Sequence, residues 1–321
     1  MRRFIAARIA HAAIVVVIVT TIAFFLLRLA PGDPFSYDNP SISPAIRAQY
    51  RAAFGYDRPV GEQFVRYVTH VARGEFGYSV VGHLPVRDVI IAAAPRTLSL
   101  AFVSLALASL IGVFLGVFAA ARHRQLPDRL ISTISVMIYS IPEFWLALII
   151  QMTLGFGLGL FPISGFNEPL IADYGSTTEI FLDRLRHMVL PMMTLTILLA
   201  VILARFQRAA MVDILPSDYL RTARAKGANE RTVLLRHGLR NALTPTITML
   251  GLFVPTVLGG IFFIEFVFNW NGLGLLAVRS VENHDYDVAT ASVLISGVLV
   301  ALGSLAADIG TALSDPRIRD A

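Results

Sequence analysis

The chain has 321 residues, is 55% apolar and 15% charged, and carries a formal net charge of +5. Its mean hydropathy of +0.67 is that of a membrane protein. The absence of cysteine excludes disulfides and thiolate metal sites, and the positive charge reads as the cytoplasmic Lys/Arg bias of a membrane protein in preference to nucleic-acid binding.

A membrane helix needs roughly 20 apolar residues. The segments that qualify are 9–29, 97–121, 130–154, 187–204, 246–268 and 288–309. The first is too long for a signal-peptide core and lacks an A-x-A-like cleavage site, so it is expected to be a retained anchor. Arg2, Arg3 and Arg8 precede it. Arg122, Arg124 and Arg129 separate the second and third spans. Arg205, Arg208, Arg221, Arg224, Lys226, Arg231, Arg236 and Arg240 follow the fourth, and Arg317 and Arg319 end the chain. Alternating spans put all these groups on one side, and the opposite loops carry Glu168, Asp173, Glu179, Asp183, Glu282, Asp285 and Asp287. Both termini are therefore expected in the cytoplasm.

Residues 31–95 fall outside, with balanced charge. Ser43-Pro44 and Gly55 bracket one predicted helix, and Gly61 and Gly74 bracket another. Residues 85–91 are expected as a third piece lying against the membrane. Gly112-x-x-x-Gly116 permits close helix approach, and Gly155, Gly157 and Gly159 either do the same or mark an irregular span end. Pro142 and Pro255 sit inside spans. The kink at Ser140-Ile141-Pro142 is the best intrinsic sign of a translocation path, with Tyr139, Ser140, Pro142, Glu143 and Trp145 as candidates. Glu143 near mid-span is either functional or a paired structural carboxylate.

No phosphate-binding GxxxxGK[ST], HExxH or GxSxG occurs, so no catalytic residue and no metal site is expected. His284-Asp285 lacks a third catalytic partner and reads as a solvated loop. His187 and His237 read as interfacial or capping groups.

The longest basic run, 216–245, reads as two short helices broken at Gly227. Ser217 and Asp218 cap the first helix after Pro216, Asn229 starts the second, and Pro245 marks a break after it. Three readings of this hairpin stand: nucleic-acid binding, snorkelling to anionic lipid, and docking of a cytoplasmic protein. The small residues Thr222, Ala223 and Ala225 beside Gly227 favour docking, because they allow close backbone approach.

At Asp218-Tyr219-Leu220-Arg221-Thr222-Ala223-Arg224-Ala225-Lys226-Gly227 the chain resembles the cytoplasmic EAA loop of binding-protein-dependent ABC importer permeases. The version is that of the dipeptide, oligopeptide and nickel permeases, B-type subunit. The pattern continues through Leu235-Arg236-His237-Gly238-Leu239-Arg240-Asn241-Ala242-Leu243 and Pro245. Further similarity lies in Leu29-Ala30-Pro31-Gly32-Asp33-Pro34, in residues 54–59 and 74–79, and in Pro95-Arg96-Thr97-Leu98. It extends to Ser140-Ile141-Pro142, Phe144-Trp145-Leu146-Ala147, Pro162-Ile163-Ser164-Gly165, His187 with Leu190-Pro191, Glu265 with Phe268, and the tail 315–319. Asn271-Gly272-Leu273-Gly274 replaces the family's Pro-Gly-x-Gly, and Asp285-Tyr286-Asp287 replaces its Asp-Tyr-Pro.

The resemblance implies an all-α integral membrane protein with the six spans of the type I ABC importer fold. A partly helical extracytoplasmic domain lies between spans 1 and 2. The implied division is 1–30, 31–95, a core at 96–311 that includes the hairpin, and a tail at 312–321. The implied setting is the bacterial plasma membrane. The implied partners are a C-type permease subunit forming a heterodimer, two ABC ATPase subunits or one fused ATPase, an extracytoplasmic peptide-binding protein, and membrane lipid, with no nucleic acid. ATP and Mg would sit on the ATPase subunits, with no cofactor in this chain. Asp218, Tyr219, Arg221, Thr222, Ala223, Arg224, Ala225, Lys226 and Gly227 would couple to an ATPase, while Asn271, Gly272, Asp285 and Tyr286 would lie where the binding protein docks. The implied cargo is dipeptides or oligopeptides, with nickel, glutathione or another small solute as the alternative. An ion-coupled secondary transporter is the alternative from another class; it would need paired intramembrane charges.

Overall fold

The computed structural model describes residues 2–29 and 43–314. The expected motif at 30–34 and the tail motif at 315–319 lie outside the described residues. Among the described residues, five helices are long and apolar enough to cross a membrane: Ala6–Leu29, Val86–Ala121, Thr177–Ile214, Glu230–Gly260 and Tyr286–Ile309. The pair Leu126–Tyr139 and Glu143–Gly157, bent by 104°, supplies a sixth crossing if it is one broken span. The chain divides into two units, Arg2–Leu98 with Asn271–Leu302, and Ser99–Trp270 with Gly303–Ala321.

The first unit begins with α1 (Arg2–Leu29), then α2 (Pro44–Phe54) and α3 (Val60–Ala72). Ser43 caps α2 by accepting the Ile46 N–H, and Gly55 ends it at φ 74°, a left-handed conformation that glycine adopts without a Cβ penalty. Residues 85–91 do not form the separate piece expected. They open α4 (Val86–Ala121), which runs through Pro95. A hydropathy window begins where lipid begins, whereas the helix extends past it with polar residues such as Arg87 and Asp88. Val86, Ile90 and Ala93 of α4 pack on Leu273 of α13 (Leu273–Glu282) and on Val288 and Ala291 of α14 (Tyr286–Ser314).

The second unit holds the rest of α4, then α5 (Leu126–Tyr139), α6 (Glu143–Ile150) with a π-helical continuation Gln151–Gly157, and α7 (Pro169–Tyr174). Next come α8 (Thr177–Ile214), α9 (Asp218–Ala225), α10 (Glu230–Thr232), a π-helical turn Val233–Gly238, α11 (Leu239–Gly260) and α12 (Phe262–Val267). Its core joins Leu100 and Ala108 of α4, Leu146 and Ile150 of α6, and Leu190, Leu199 and Leu203 of α8. Phe253 and Val257 of α11 and Trp270 complete it. Gly112 and Gly116 let α4 lie against α8. A Cβ on Gly112 would stand 2.6 Å from Leu203 Cβ, and one on Gly116 would stand 2.7 Å from the Ala204 carbonyl oxygen. A capping box between Ser176 and Glu179 starts α8.

The third span breaks at the expected kink, because Pro142 lacks the N–H that would carry α5 onward and instead caps α6 at ψ 138°. Two further expectations are corrected. The fifth span ends at Gly260 and does not reach Phe268. Pro245 is no break: α11 runs through it and through Pro255. Membrane helices tolerate proline where neighbours satisfy the freed carbonyl.

Candidate coupling and translocation site

The hairpin is built on a helix stop at Gly227. Its φ is 85°, the Gly227 N–H donates to the Arg224 carbonyl at 2.9 Å, and the Ala228 N–H reaches back to the Ala223 carbonyl at 3.2 Å. This pair of bonds is a Schellman motif, which satisfies the last carbonyls of α9 while reversing the chain. Asn229 then caps α10 by accepting the Thr232 N–H at 2.8 Å. Arg224 bridges the reversal with two bonds to Glu230, at 2.9 and 3.1 Å. A bidentate guanidinium–carboxylate pair fixes angle as well as distance.

Leu220 is fully buried and anchors α9, next to Gly238 of the π-helical turn, and Val233 is buried too. Tyr219 is held from behind by Asn241, whose amide donates to its hydroxyl at 2.9 Å. Asp218, Tyr219, Arg221, Thr222, Ala225, Lys226 and Gly227 are exposed, whereas Ala223 and Arg224 are half-buried. Among the described residues, nothing beyond its chain neighbours lies within 4 Å of a Cβ built on Gly227. The exposed edge is thus a rigid surface with an open glycine. Its second arm has no flexible joint to the membrane, since residues 230–260 form one helical run.

Behind the hairpin, α8 is tied to the start of α5. Asp128, only 3% exposed at its side chain, accepts from Arg208 through both oxygens and from the Arg124 N–H at 2.8 Å. A buried Gln207 accepts the Thr246 hydroxyl at 2.6 Å, joining α8 to α11.

The path candidates gather at the break between α5 and α6. Tyr139, Ser140, Pro142 and Trp145 are exposed there. The Ser140 hydroxyl donates to the Val136 carbonyl at 2.9 Å, so it serves its own helix. Glu143 lies in the first turn of α6, where a carboxylate suits the helix dipole. Its Oε1 is buried and makes no hydrogen bond among the described residues.

The four docking candidates divide. Asn271 is exposed, and Gly272 is buried. Their loop is fixed by the motif at 95–98: Arg96 donates to the Asn271 carbonyl at 3.2 Å, and the Thr97 hydroxyl accepts the Leu273 N–H at 2.8 Å, capping α13. Asp285 and Tyr286 are 3% and 5% exposed. Neither presents its side chain to a docking protein, and the solvated-loop reading of His284-Asp285 is corrected likewise. Asp285 accepts the Ser79 hydroxyl at 2.5 Å and the Val81 N–H at 3.4 Å.

Arg28 and Asp287 organise this region; Asp287 was noted from sequence only as a loop carboxylate and a departure from Asp-Tyr-Pro, and Arg28 was not singled out. They pair at 3.0 Å, with the Arg28 guanidinium 4.3 Å from the Tyr56 ring centre and 5.4 Å from that of Tyr286. Burial pushes the Tyr56 phenol well above its ordinary range, so it stays protonated. Gly77 lies so close that a Cβ would meet Asp287 Oδ2 at 2.7 Å. The motifs at 54–59 and 74–79 therefore meet at one ion pair. The available signal was an arginine at the far end of an otherwise uncharged first span.

Comparison with known proteins gives a consistent result. Residues 112–320 match the family described as "Binding-protein-dependent transport system inner membrane component". Residues 1–101 match the corresponding N-terminal family, described as "Binding-prot-dependent transport system membrane comp, N-term". The chain is 41% identical over 302 residues to the oligopeptide transport system permease protein AppB of Bacillus subtilis, covering 94% of each. It is 38% identical over 303 residues to the glutathione transport system permease protein GsiC of Escherichia coli K12, again covering 94% of each. A chain of the MetNI methionine ABC transporter, solved in inward-facing conformations, superposes with a TM-score of 0.57 at 20% identity, over 71% of this chain and 96% of that one. This last likeness is one of fold.

Proposed function

We propose a specific place in a peptide importer for this chain, which belongs to the family of binding-protein-dependent transport system inner membrane components and is a multi-pass permease subunit of an ABC importer in the inner membrane. Its cargo is short peptides. Relatives of equal coverage are named for oligopeptides and for glutathione, itself a tripeptide, and peptide is the chemistry common to both.

The observation that carries the coupling role is the hairpin at residues 216–245. It offers an exposed, internally braced edge at Asp218 to Gly227 and continues without a joint into a membrane helix. Displacing such an edge moves the helix behind it as a rigid body. The chain itself is non-catalytic. ATP and Mg bind ATPase subunits, either two chains or one fused pair, and their closure drives the hairpin. A C-type permease completes the path, and an extracytoplasmic binding protein delivers the peptide. The Lys/Arg bias puts both termini and the hairpin in the cytoplasm. On the outer face, Asn271 is the exposed docking candidate, while Asp285 and Tyr286 shape the surface from beneath.

The test is ATP-driven uptake of a labelled dipeptide by proteoliposomes holding the full complex, compared with a Gly227→Asp complex. The positive φ costs a side chain about 1 kcal/mol. No neighbouring atom among the described residues obstructs its Cβ, so loss of the fold is not expected. The expected result is a complex that inserts and assembles but no longer takes up peptide. Normal uptake by Gly227→Asp removes the coupling role.

A further inference from the structure

A cavity of about 760 Å³ opens beside the break in the third span, between α5, α8 and α11. Its volume is that of a small-molecule site. Tyr139, Phe206 and Phe253 give it an aromatic wall, and Ser132 adds a hydroxyl. Its charged lining residues are Arg205 and Arg208, with no acidic side chain lining it among the described residues. The two arginines differ. Arg208 is neutralised by Asp128 through two bonds. Arg205 has no ion-pair partner among the described residues; its guanidinium lies 5.7 Å from the Tyr139 ring centre, a cation–π contact that aims it without quenching its charge. Arg205 is exposed just past the apolar stretch 187–204 of α8, so its charge stays solvated and open to an anion entering the cavity.

We propose that Arg205 receives the C-terminal carboxylate of the transported peptide, with the aromatic wall taking its side chains. This rests on the peptide-importer reading. A guanidinium can bind a carboxylate through two parallel hydrogen bonds, which an uncharged terminus cannot match. The site favours peptides with a free C-terminus over those with a blocked one, after the binding protein has released them. Arg205 is here a binding residue, and Tyr139 positions it.

The experiment uses the assembled complex of permeases and ATPases in nanodiscs, without nucleotide and without binding protein. Affinities for Phe-Phe and for its C-terminal amide are measured by thermophoresis. Both ligands keep the ammonium, so the difference isolates the carboxylate. The wild-type complex is expected to bind the acid about tenfold more tightly or better, as a charge-assisted pair supplies. Arg205→Gln and Tyr139→Leu are expected to erase most of that preference. Arg205→Lys is expected to keep part of it and Tyr139→Phe most of it.

Equal binding of acid and amide by the wild type, or a preference that survives Arg205→Gln, overturns the proposal. Loss of the second permease from the Arg205→Gln complex makes Arg205 an interface residue and also overturns it. Nanodiscs of phosphatidylcholine and of phosphatidylglycerol are compared. A preference abolished by the anionic lipid means a headgroup site and overturns it too. Dipeptide uptake by the wild-type complex is measured separately. Its absence overturns the peptide reading and this proposal with it, whereas uptake without an acid preference overturns the proposal alone.

Discussion

Arg28 shows what a single residue does in this fold. Three aromatic rings, Phe24, Tyr56 and Tyr286, surround its guanidinium, and Asp287 pairs with it. Removing one member of this part-buried pair leaves the other charge poorly solvated, which costs on the order of 1–3 kcal/mol. Asp287→Asn and Arg28→Gln are each expected to lower the melting temperature of the detergent-purified chain. The double substitution is expected to recover part of the loss, because no lone charge remains. Two single variants that melt like the parent would show that the pair holds nothing. The sequence offered only part of this cluster. Its motifs at 54–59 and 74–79 were visible, but their meeting point was not, because the partners stand 259 residues apart and no spacing rule links them. The same holds for Asp128 and Arg208, 80 residues apart. Local chemistry was legible by contrast: the left-handed stop at Gly227, the Ser43 cap and the Asn229 cap all follow from neighbours in the chain.

Between residues and the whole molecule, the helices obey two different controls. Their existence follows from apolar length, which is why the crossings could be placed from composition. Their ends and breaks follow from packing and proline chemistry. That is why α11 runs through Pro245, why α4 begins at Val86, and why the third span turns by 104° at Pro142. The contact of α4 with α8 is the clearest packing constraint. Gly116 admits no larger residue, since its absent Cβ would press on the Ala204 carbonyl and on Gln207 Cβ, each 2.7 Å away. Gly116→Leu is expected to force the helices apart at a cost of about 1–3 kcal/mol. The result should be less assembled complex recovered and a lower melting temperature. Gly61→Ala in α3, where an added Cβ meets nothing within 4 Å, is the matched control and should be neutral. Equal recovery of the two variants would mean that α4 and α8 do not pack closely.

At the scale of the molecule, the proposed coupling role gives one end of the second unit to a partner that hydrolyses ATP. The residues of the hairpin brace one another and leave an edge exposed. The chain has no cysteine, so a single introduced thiol is the only one it carries. The decisive measurement places Ala225→Cys on the exposed edge of the hairpin and Val65→Cys on exposed α3 in otherwise identical complexes, and treats each with a short thiol–amine crosslinker. Ala225→Cys should form a product that mass spectrometry identifies as this chain joined to an ATPase subunit, with a yield that changes when ATP is added. Val65→Cys should give no such product. An Ala225→Cys complex that crosslinks only to lipid, or to the same proteins as Val65→Cys, would contradict the coupling role of the hairpin.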